Sequence, residues 1–230
     1  MTKKRSTSLV PCSLYSIFFV LLLFRHVKSQ LNDHEQAVIL NLKQQWQNPQ
    51  PLSHWTPSNS SSHCSWPEIT CTDGSVSGIS LQNMNINGTI PSFICDLKNL
   101  TAIDFSWNYF TSQEFPKALY NCSKLEVLDL CQNHLAGTVP DDIHRMARLR
   151  QLNLGASYFS GNIPGSIGQL TELRELQLFT RPFNGTLRPE IGNLSNLEVL
   201  ELGCKKWKNR VAESKTETSV EIVGNALNFH

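Results

Sequence analysis

The chain has 230 residues, of which 40% are hydrophobic and 17% charged, and its net charge is +1 at pH 7. That charge is uneven: residues 30–202 hold 10 basic and 16 acidic side chains, a net of −6. A mildly acidic middle lacks the basic face that a phosphate backbone requires, which argues against a nucleic-acid binder. The length allows one domain, or one domain behind a processed leader.

In chain order, residues 1–29 have the features of a secretory signal peptide. Lys3, Lys4 and Arg5 precede an apolar run from Leu14 to Phe24, and Val27 and Ser29 are small residues before a cut at Ser29/Gln30. The competing reading is a membrane anchor, but the run is about half of the ~20 residues a spanning helix needs. Sequons at Asn59, Asn87, Asn99, Asn121, Asn184 and Asn193 add the expectation of a glycosylated exterior. Removing Cys12 with the leader leaves six cysteines, an even number suited to an oxidising compartment.

Residues 30–73 are expected to form a cap. Asn32 or Asp33 can N-cap a helix on which Val38, Ile39, Leu42 and Trp46 share one face. The segment Cys64-Ser65-Trp66-Pro67-Glu68-Ile69-Thr70-Cys71 follows, and a Cys64–Cys71 disulfide would staple it. The rival reading is a zinc site that uses His54 or His63. It is disfavoured because no second thiol pair is nearby.

Residues 74–202 repeat. Six segments share the pattern of Leu125-x-x-Leu128-x-Leu130, starting at Val76, Leu100, Leu125, Leu149, Leu173 and Leu197, with spacings of 24, 25, 24, 24 and 24 residues. Periodicity this regular predicts a repeat solenoid of five repeats and the first strand of a sixth. Each Leu-x-Leu is a short strand that cannot bury its apolar side alone. Stacked at ~4.8 Å, such strands form a parallel sheet over a continuous leucine core. Ile94, Ile143, Ile167 and Ile191, with Leu97, Met146, Leu170 and Leu194, supply the opposite wall. Gly88, Gly137, Gly161 and Gly185 recur at one position, as a turn with φ > 0 would demand. Asn108 and Asn133 follow the strand, where a buried amide can satisfy the backbone of adjacent turns. Met84, Ser157 and Arg181 take that position elsewhere. Residues 203–230 leave the register, and this tail is expected to cover the last leucines poorly.

The residues between and after the leucines face the inner, concave side. A polar column of Asp104, Asp129, Asn153 and Gln177 can pair with a peptide backbone or with basic side chains. Trp107 and Phe179 are expected to be exposed aromatics, the class that anchors interfaces. Ser106, Gln132 and Gln151 complete the candidate ligand-binding set. A solvated sheet face is the competing reading of the column, and packing against a neighbouring repeat that of Trp107. Cys95 and Cys122 take similar convex-side positions in adjacent repeats and can pair as a disulfide. Cys131, expected on the concave face, and Cys204, in the tail, are expected to be free thiols.

The segments Asn87-Gly88-Thr89-Ile90-Pro91 and Ser160-Gly161-Asn162-Ile163-Pro164-Gly165-Ser166-Ile167-Gly168 resemble the plant-specific leucine-rich repeat, LxxLxLxxNxLSGxIPxxLGxLxx. Cys64-x6-Cys71 with Trp66 resembles the N-terminal cap of that family. Segments Ser92–Leu97 and Asn121–Leu125 resemble the HAESA-like (class XI) peptide-hormone receptor kinases. The resemblance spans about residues 33–202. It implies an α/β repeat solenoid, a right-handed superhelix with short parallel strands inside and 3-10 or loop segments on the convex side. It also implies a secreted peptide or protein ligand, another receptor or co-receptor as partner, and a cell-surface or extracellular setting, with membrane contact only through such a partner or in longer relatives. No cofactor or metal is implied.

Full-length members of that family add more repeats, a membrane span and a Ser/Thr kinase. This chain is expected to be a truncated relative that is not itself an enzyme. His144-Arg145-Met146 is not a kinase catalytic loop, and no nucleophile–base pair or metal spacing stands out. The alternative is a stand-alone small secreted repeat protein, co-receptor-like or similar to polygalacturonase inhibitors. Five or six strands at ~4.8 Å give an inner strip of roughly 24–29 Å, while an extended peptide of about a dozen residues spans ~40 Å. The strip can therefore hold only part of such a ligand.

Overall fold

A computed structural model describes residues 33–57, 63–178 and 188–202, the isolated positions Val20 and Leu23, and the backbone of three strands within 206–229. The leader expected over 1–29 otherwise lies outside the described residues, as do Asn32, Asn59, Phe179, Arg181, Asn184, Gly185 and Cys204. Among the described residues no helix is long and apolar enough to cross a membrane.

The cap is built on one amphipathic helix. Residues 33–45 are helical, and Val38, Ile39, Leu42 and the following Trp46 are all buried. Trp46 docks the cap onto the repeats. Its Nε1 donates to the Thr89 carbonyl at 2.9 Å, and its ring meets Phe105 and Phe110 edge-on. Glu68 is a second tie: its Oε2 accepts from Trp55 Nε1 at 2.9 Å and lies 2.9 Å from His54 Nε2. Trp55 stacks on Trp66. Strand Ile69–Thr72 then pairs antiparallel with Ser75–Ser80, opening the inner sheet.

From Ser75–Ser80 to Val199–Glu201 each inner strand is parallel to the last. Ala102–Asp104, Val127–Asp129, Gln151–Asn153, Glu175–Gln177 and Val199–Glu201 pair in order, with Ile79, Ile103, Leu128, Leu152, Leu176 and Leu200 in one register. Those side chains are all buried. The turns Ser92–Asp96, Lys117–Asn121, Ile143–Arg145, Gly165–Gln169 and Pro189–Asn193 are 3-10 helices that bury Ile94, Leu119, Ile143, Ile167 and Ile191 against the leucines. Pro91, Pro116 and Pro164 precede three of them, each with φ near −70°.

Between the inner strand and the 3-10 turn runs a second parallel sheet, which the leucine spacing does not announce. It comprises Asn87–Gly88, Tyr109–Ser112, His134–Thr138 and Tyr158–Ser160. Glycines at its end carry the positive φ expected: 111° at Gly88, 94° at Gly137 and 84° at Gly161. At Gly137 an added Cβ would also lie 2.5 Å from the Gln113 carbonyl oxygen.

The asparagine positions knit adjacent turns together. Asn108 Oδ1 accepts from the N–H groups of Ile86 and Met84, while its Nδ2 donates to the carbonyls of Leu81, Phe105 and Ser106. Asn133 repeats this toward Phe110, Phe105, Leu130 and Cys131. Ser157 extends the ladder at lower capacity, donating to Leu130 and accepting from the Asn133 N–H.

Among the described residues there are two disulfides, Cys64–Cys71 with Cα atoms 5.6 Å apart and Cys95–Cys122 with Cα atoms 4.6 Å apart. The second spans 27 residues and links consecutive convex turns. Its removal by Cys95→Ser with Cys122→Ser should cost ~3–4 kcal/mol on the loop-entropy argument, read as a drop in the urea midpoint.

Strand Lys206–Lys208 turns back antiparallel onto Val199–Glu201, so the last inner strand is paired on both sides. Beyond it, Val220–Val223 and Ala226–Phe229 form a hairpin. An edge left unpaired would template association with another chain, which is a physical reason for that return strand.

Candidate functional site

The inner sheet presents a curved strip, and the chain path at each strand end decides what it displays. The second residue after Leu81, Phe105, Leu130 and Leu154 is left-handed: φ is 57° at Asn83, 58° at Trp107, 54° at Gln132 and 50° at Ala156. Before three of these bends Ser106, Cys131 and Gly155 are buried, whereas Gln82 before the first is exposed; Asn83, Trp107 and Gln132 are themselves exposed. Two expectations are corrected on that basis. Ser106 is 2% exposed and Cys131 7% exposed, so neither is a contact residue on the concave face. Cys131 is unpaired, and burial, reinforced by the Asp129 charge, pushes its thiol far above the ordinary range. It is a poor nucleophile as it stands.

Trp107 has 54% of its surface exposed. An L-residue pays for the left-handed region, so an indole held there with half its surface in water serves neither local geometry nor the core. Gln132 is also exposed, while Gln151 and Gln177 are half-buried in the strip.

The polar column exists, but much of its capacity is already used. Asp104 Oδ1 accepts from the Ser106 N–H and hydroxyl at 3.0 and 2.6 Å. Asp129 Oδ1 accepts from the Cys131 N–H, and Asn153 Oδ1 from the Gly155 N–H. Each side chain thus caps the N–H two residues on, a local turn repeated three times. Their remaining atoms partly satisfy each other: Asn153 Nδ2 donates to Asp129 Oδ2 at 2.9 Å, Ser80 Oγ reaches Asp104 Oδ2 at 3.5 Å, and Gln177 Nε2 donates to Glu201 at 3.0 Å. Asp104 and Asp129 stand opposite each other in paired strands. Burial raises the Asp129 carboxyl pKa and the Asp104 charge adds to this, against lowering by bonds from Cys131 and Asn153.

That shift has a testable sign. A carboxyl with a raised folded-state pKa contributes stability below its unfolded pKa and loses it as pH rises through the folded value. Ionised Asp129 therefore burdens the fold at neutral pH. Asp129→Asn should be more stable than the parent at pH 7, and the difference should vanish on acidification, as followed by urea unfolding across pH.

On the flank of the strip lies an aromatic row that sequence reasoning missed. Tyr109, His134 and Tyr158 occupy equivalent positions in consecutive turns, with ring centroids 5.5 and 5.8 Å apart. Tyr109 and Tyr158 are exposed. The available signal was the recurrence of ring-bearing residues one place after the Asn/Ser ladder. Of the described sequons, Asn87, Asn121 and Asn193 are exposed and Asn99 is half-buried, its Oδ1 accepting from Lys124. Asn87 pairs with Tyr109 in the second sheet, so a glycan there would crowd this flank rather than the strip.

A capped solenoid of parallel strands backed by 3-10 turns, with a polar inner strip, is the leucine-rich repeat fold, and the proteins it resembles share it. Residues 32–72 match the leucine rich repeat N-terminal domain, and residues 124–146 match the Leucine Rich Repeat model. A probably inactive leucine-rich repeat receptor-like protein kinase from Arabidopsis thaliana is 41% identical over 100 residues, which are 42% of this chain and 11% of that protein. The GASSHO1/SCHENGEN3 receptor kinase ectodomain from Arabidopsis thaliana, solved with Casparian strip integrity factor 2, superposes with a TM-score of 0.66 at 27% identity, covering 73% of this chain and 20% of that one. The BIR3–SERK2 complex from the same plant gives 0.59 at 29% identity, covering 65% of this chain and 85% of that one. The chain is thus similar to the ectodomains of plant leucine-rich repeat receptor-like kinases, and it spans about a tenth of the length of the curated relative quoted.

Proposed function

We propose that this chain is a non-catalytic extracellular recognition module whose inner strip binds a secreted peptide or protein segment. The carrying observation is Trp107, an indole exposed on the strip in a backbone conformation that favours glycine, beside the facing carboxylates Asp104 and Asp129. An aromatic anchor next to negative charge suits a ligand with a basic side chain near an apolar one. The receptor-ectodomain neighbours, one of them in complex with Casparian strip integrity factor 2, support this reading, and the segments around Cys95 and Cys122 favour the HAESA-like group within it. The expected leader and the exposed sequons support secretion.

A second reading is a short stand-alone ectodomain that pairs with another repeat receptor. The 85% coverage of the chain matched in the BIR3–SERK2 complex favours it, because this chain accounts for most of that one.

Selection of a random-peptide display library on the secreted chain tests the proposal. Enriched peptides should carry Lys or Arg, and their affinity should fall at least ~10-fold on Asp104→Asn with Asp129→Asn. A bound cation favours ionised Asp129, so affinity should also rise as pH climbs through the titration of that carboxyl. Peptides that bind the double variant as tightly as the parent, with no pH dependence, would sink the assignment.

A further inference from the structure

The second sheet presents an outward side that neither the core nor the recognition strip uses. Its four strands, Asn87–Gly88, Tyr109–Ser112, His134–Thr138 and Tyr158–Ser160, contain no Asp, Glu, Lys or Arg. On that side lies the aromatic row. Tyr109 is 48% and Tyr158 57% exposed, and His134 between them is exposed as well. The ring centroids stand 5.5 and 5.8 Å apart with planes tilted by 54° and 45°, so the rings touch without covering one another. With Trp107, these tyrosines are the exposed large hydrophobic side chains of the described repeats. A contiguous exposed row of this kind marks an interaction surface. The first strand indicates what lies on it. Asn87 heads the row: it pairs with Tyr109 across parallel strands, so the two side chains project from the same side, ~4.8 Å apart. Asn87-Gly88-Thr89 is a sequon, and both Asn87 and Thr89 are exposed. The other described sequons lie elsewhere. Asn121 and Asn193 close 3-10 turns on the convex side, and Asn99 Oδ1 is held by Lys124.

We propose that an N-glycan on Asn87 folds back over this row, its first sugars stacking on Tyr109, His134 and Tyr158. The inference rests on the secretory passage that the proposed function includes. In that passage the Asn87 amide nitrogen takes the anomeric carbon of a lipid-pyrophosphate-linked oligosaccharide. The bond from that carbon to the pyrophosphate oxygen breaks, the lipid pyrophosphate leaves with the electron pair, and the nitrogen gives up one proton. The C–H faces of a pyranose are apolar and carry partial positive charge, which suits the negative face of an aromatic ring. Thr111, Thr138 and Ser160 are exposed two or four places along the same strands, on the same side as the rings, and offer hydroxyls to the sugars. Charge divides the two surfaces. The facing carboxylates Asp104 and Asp129 suit a basic peptide, and the uncharged flank suits a neutral glycan. With the flank covered by the chain's own sugars, the strip is left for the peptide. The competing accounts are a ladder of rings that only pack on one another, and a row that docks a second copy of this chain.

The test uses the full chain secreted from a host that adds N-glycans, beside Thr89→Ala, which removes the sequon without touching Asn87. Peptide mass spectrometry reads the occupancy of Asn87 and the rate at which tetranitromethane nitrates Tyr109 and Tyr158. Both tyrosines should be nitrated several-fold more slowly in the parent than in Thr89→Ala. Trimming the parent to a single N-acetylglucosamine should free Tyr158 and leave Tyr109, next to the attachment point, protected. The urea midpoint should fall in Thr89→Ala. That fall should vanish when Tyr109→Ser and Tyr158→Ser are already present, a comparison that holds however far the ringless chain is weakened. Equal nitration in the parent and Thr89→Ala, an equal fall in midpoint with and without the rings, or a bare Asn87 beside glycosylated Asn121 and Asn193 would each overturn the proposal and leave the recognition reading standing. Protection that survives in Thr89→Ala and fades on dilution would overturn it in favour of a second copy. A secreted chain with no glycan at any sequon would overturn it too, and with it the support that the sequons lend to secretion.

Discussion

Replacing Asn108 with alanine should cost ~3–5 kcal/mol, the largest loss expected from any single polar substitution in the repeats. The Asn108 amide is buried and makes five bonds to backbone groups of two adjacent turns. Alanine leaves the N–H groups of Met84 and Ile86 without an acceptor, and the carbonyls of Leu81, Phe105 and Ser106 each lose a donor. An orphaned buried group costs ~1–3 kcal/mol, and the sum is less than additive because the loop can relax toward water. Asn133→Ala should fall in the same range, since its amide makes four such bonds. Ser157→Ala removes one donated bond and one long accepted one, and should cost about 1 kcal/mol. Urea unfolding of the three variants should therefore rank Ser157→Ala far above the two asparagine variants in midpoint. Equal losses at all three positions would mean that the ladder does not act through its bond count.

Replacing Trp107 with glycine should separate binding from folding. The indole is half exposed and its φ of 58° is one that glycine adopts freely. Relief of the left-handed backbone offsets the greater freedom of glycine in the unfolded chain, so stability should change by less than about 1 kcal/mol. Peptide affinity should fall by ~2 kcal/mol or more, about 30-fold, as for an aromatic anchor at the centre of an interface. Calorimetric titration of a display-selected peptide against both forms measures this directly. Gly137→Ala is the useful contrast. Its Cβ would meet the Gln113 carbonyl at a positive φ, so it should damage folding and binding together.

The leucine register, the asparagine ladder and the glycine turns were legible because each position uses one side-chain type for one physical reason. Leu128 and Leu152 must be apolar, Asn133 must both donate and accept, and Gly137 must reach φ > 0 against a neighbouring carbonyl. The left-handed bend was not legible. Asn83, Trp107, Gln132 and Ala156 share a conformation but no chemistry, because the stacked backbone imposes it. The burial of Ser106 and Cys131 was hidden too, because Gln82 precedes the same bend and is exposed, so the conformation alone does not decide it. The second sheet escaped notice because its strands are two to five residues long, too short for alternation to show. In the site, Asp104 and Asp129 were visible as an acidic column, but their bonds to the N–H groups of Ser106 and Cys131 belong to backbone geometry alone.

The central claim is that recognition belongs to the inner strip and not to the aromatic flank. Amide hydrogen exchange of the chain with and without a selected peptide decides between them. The account predicts slowed exchange at the strand ends 104–107, 129–132 and 153–156, with 109–112, 134–138 and 158–160 unchanged. Protection confined to the second sheet around Tyr109, His134 and Tyr158 would contradict it.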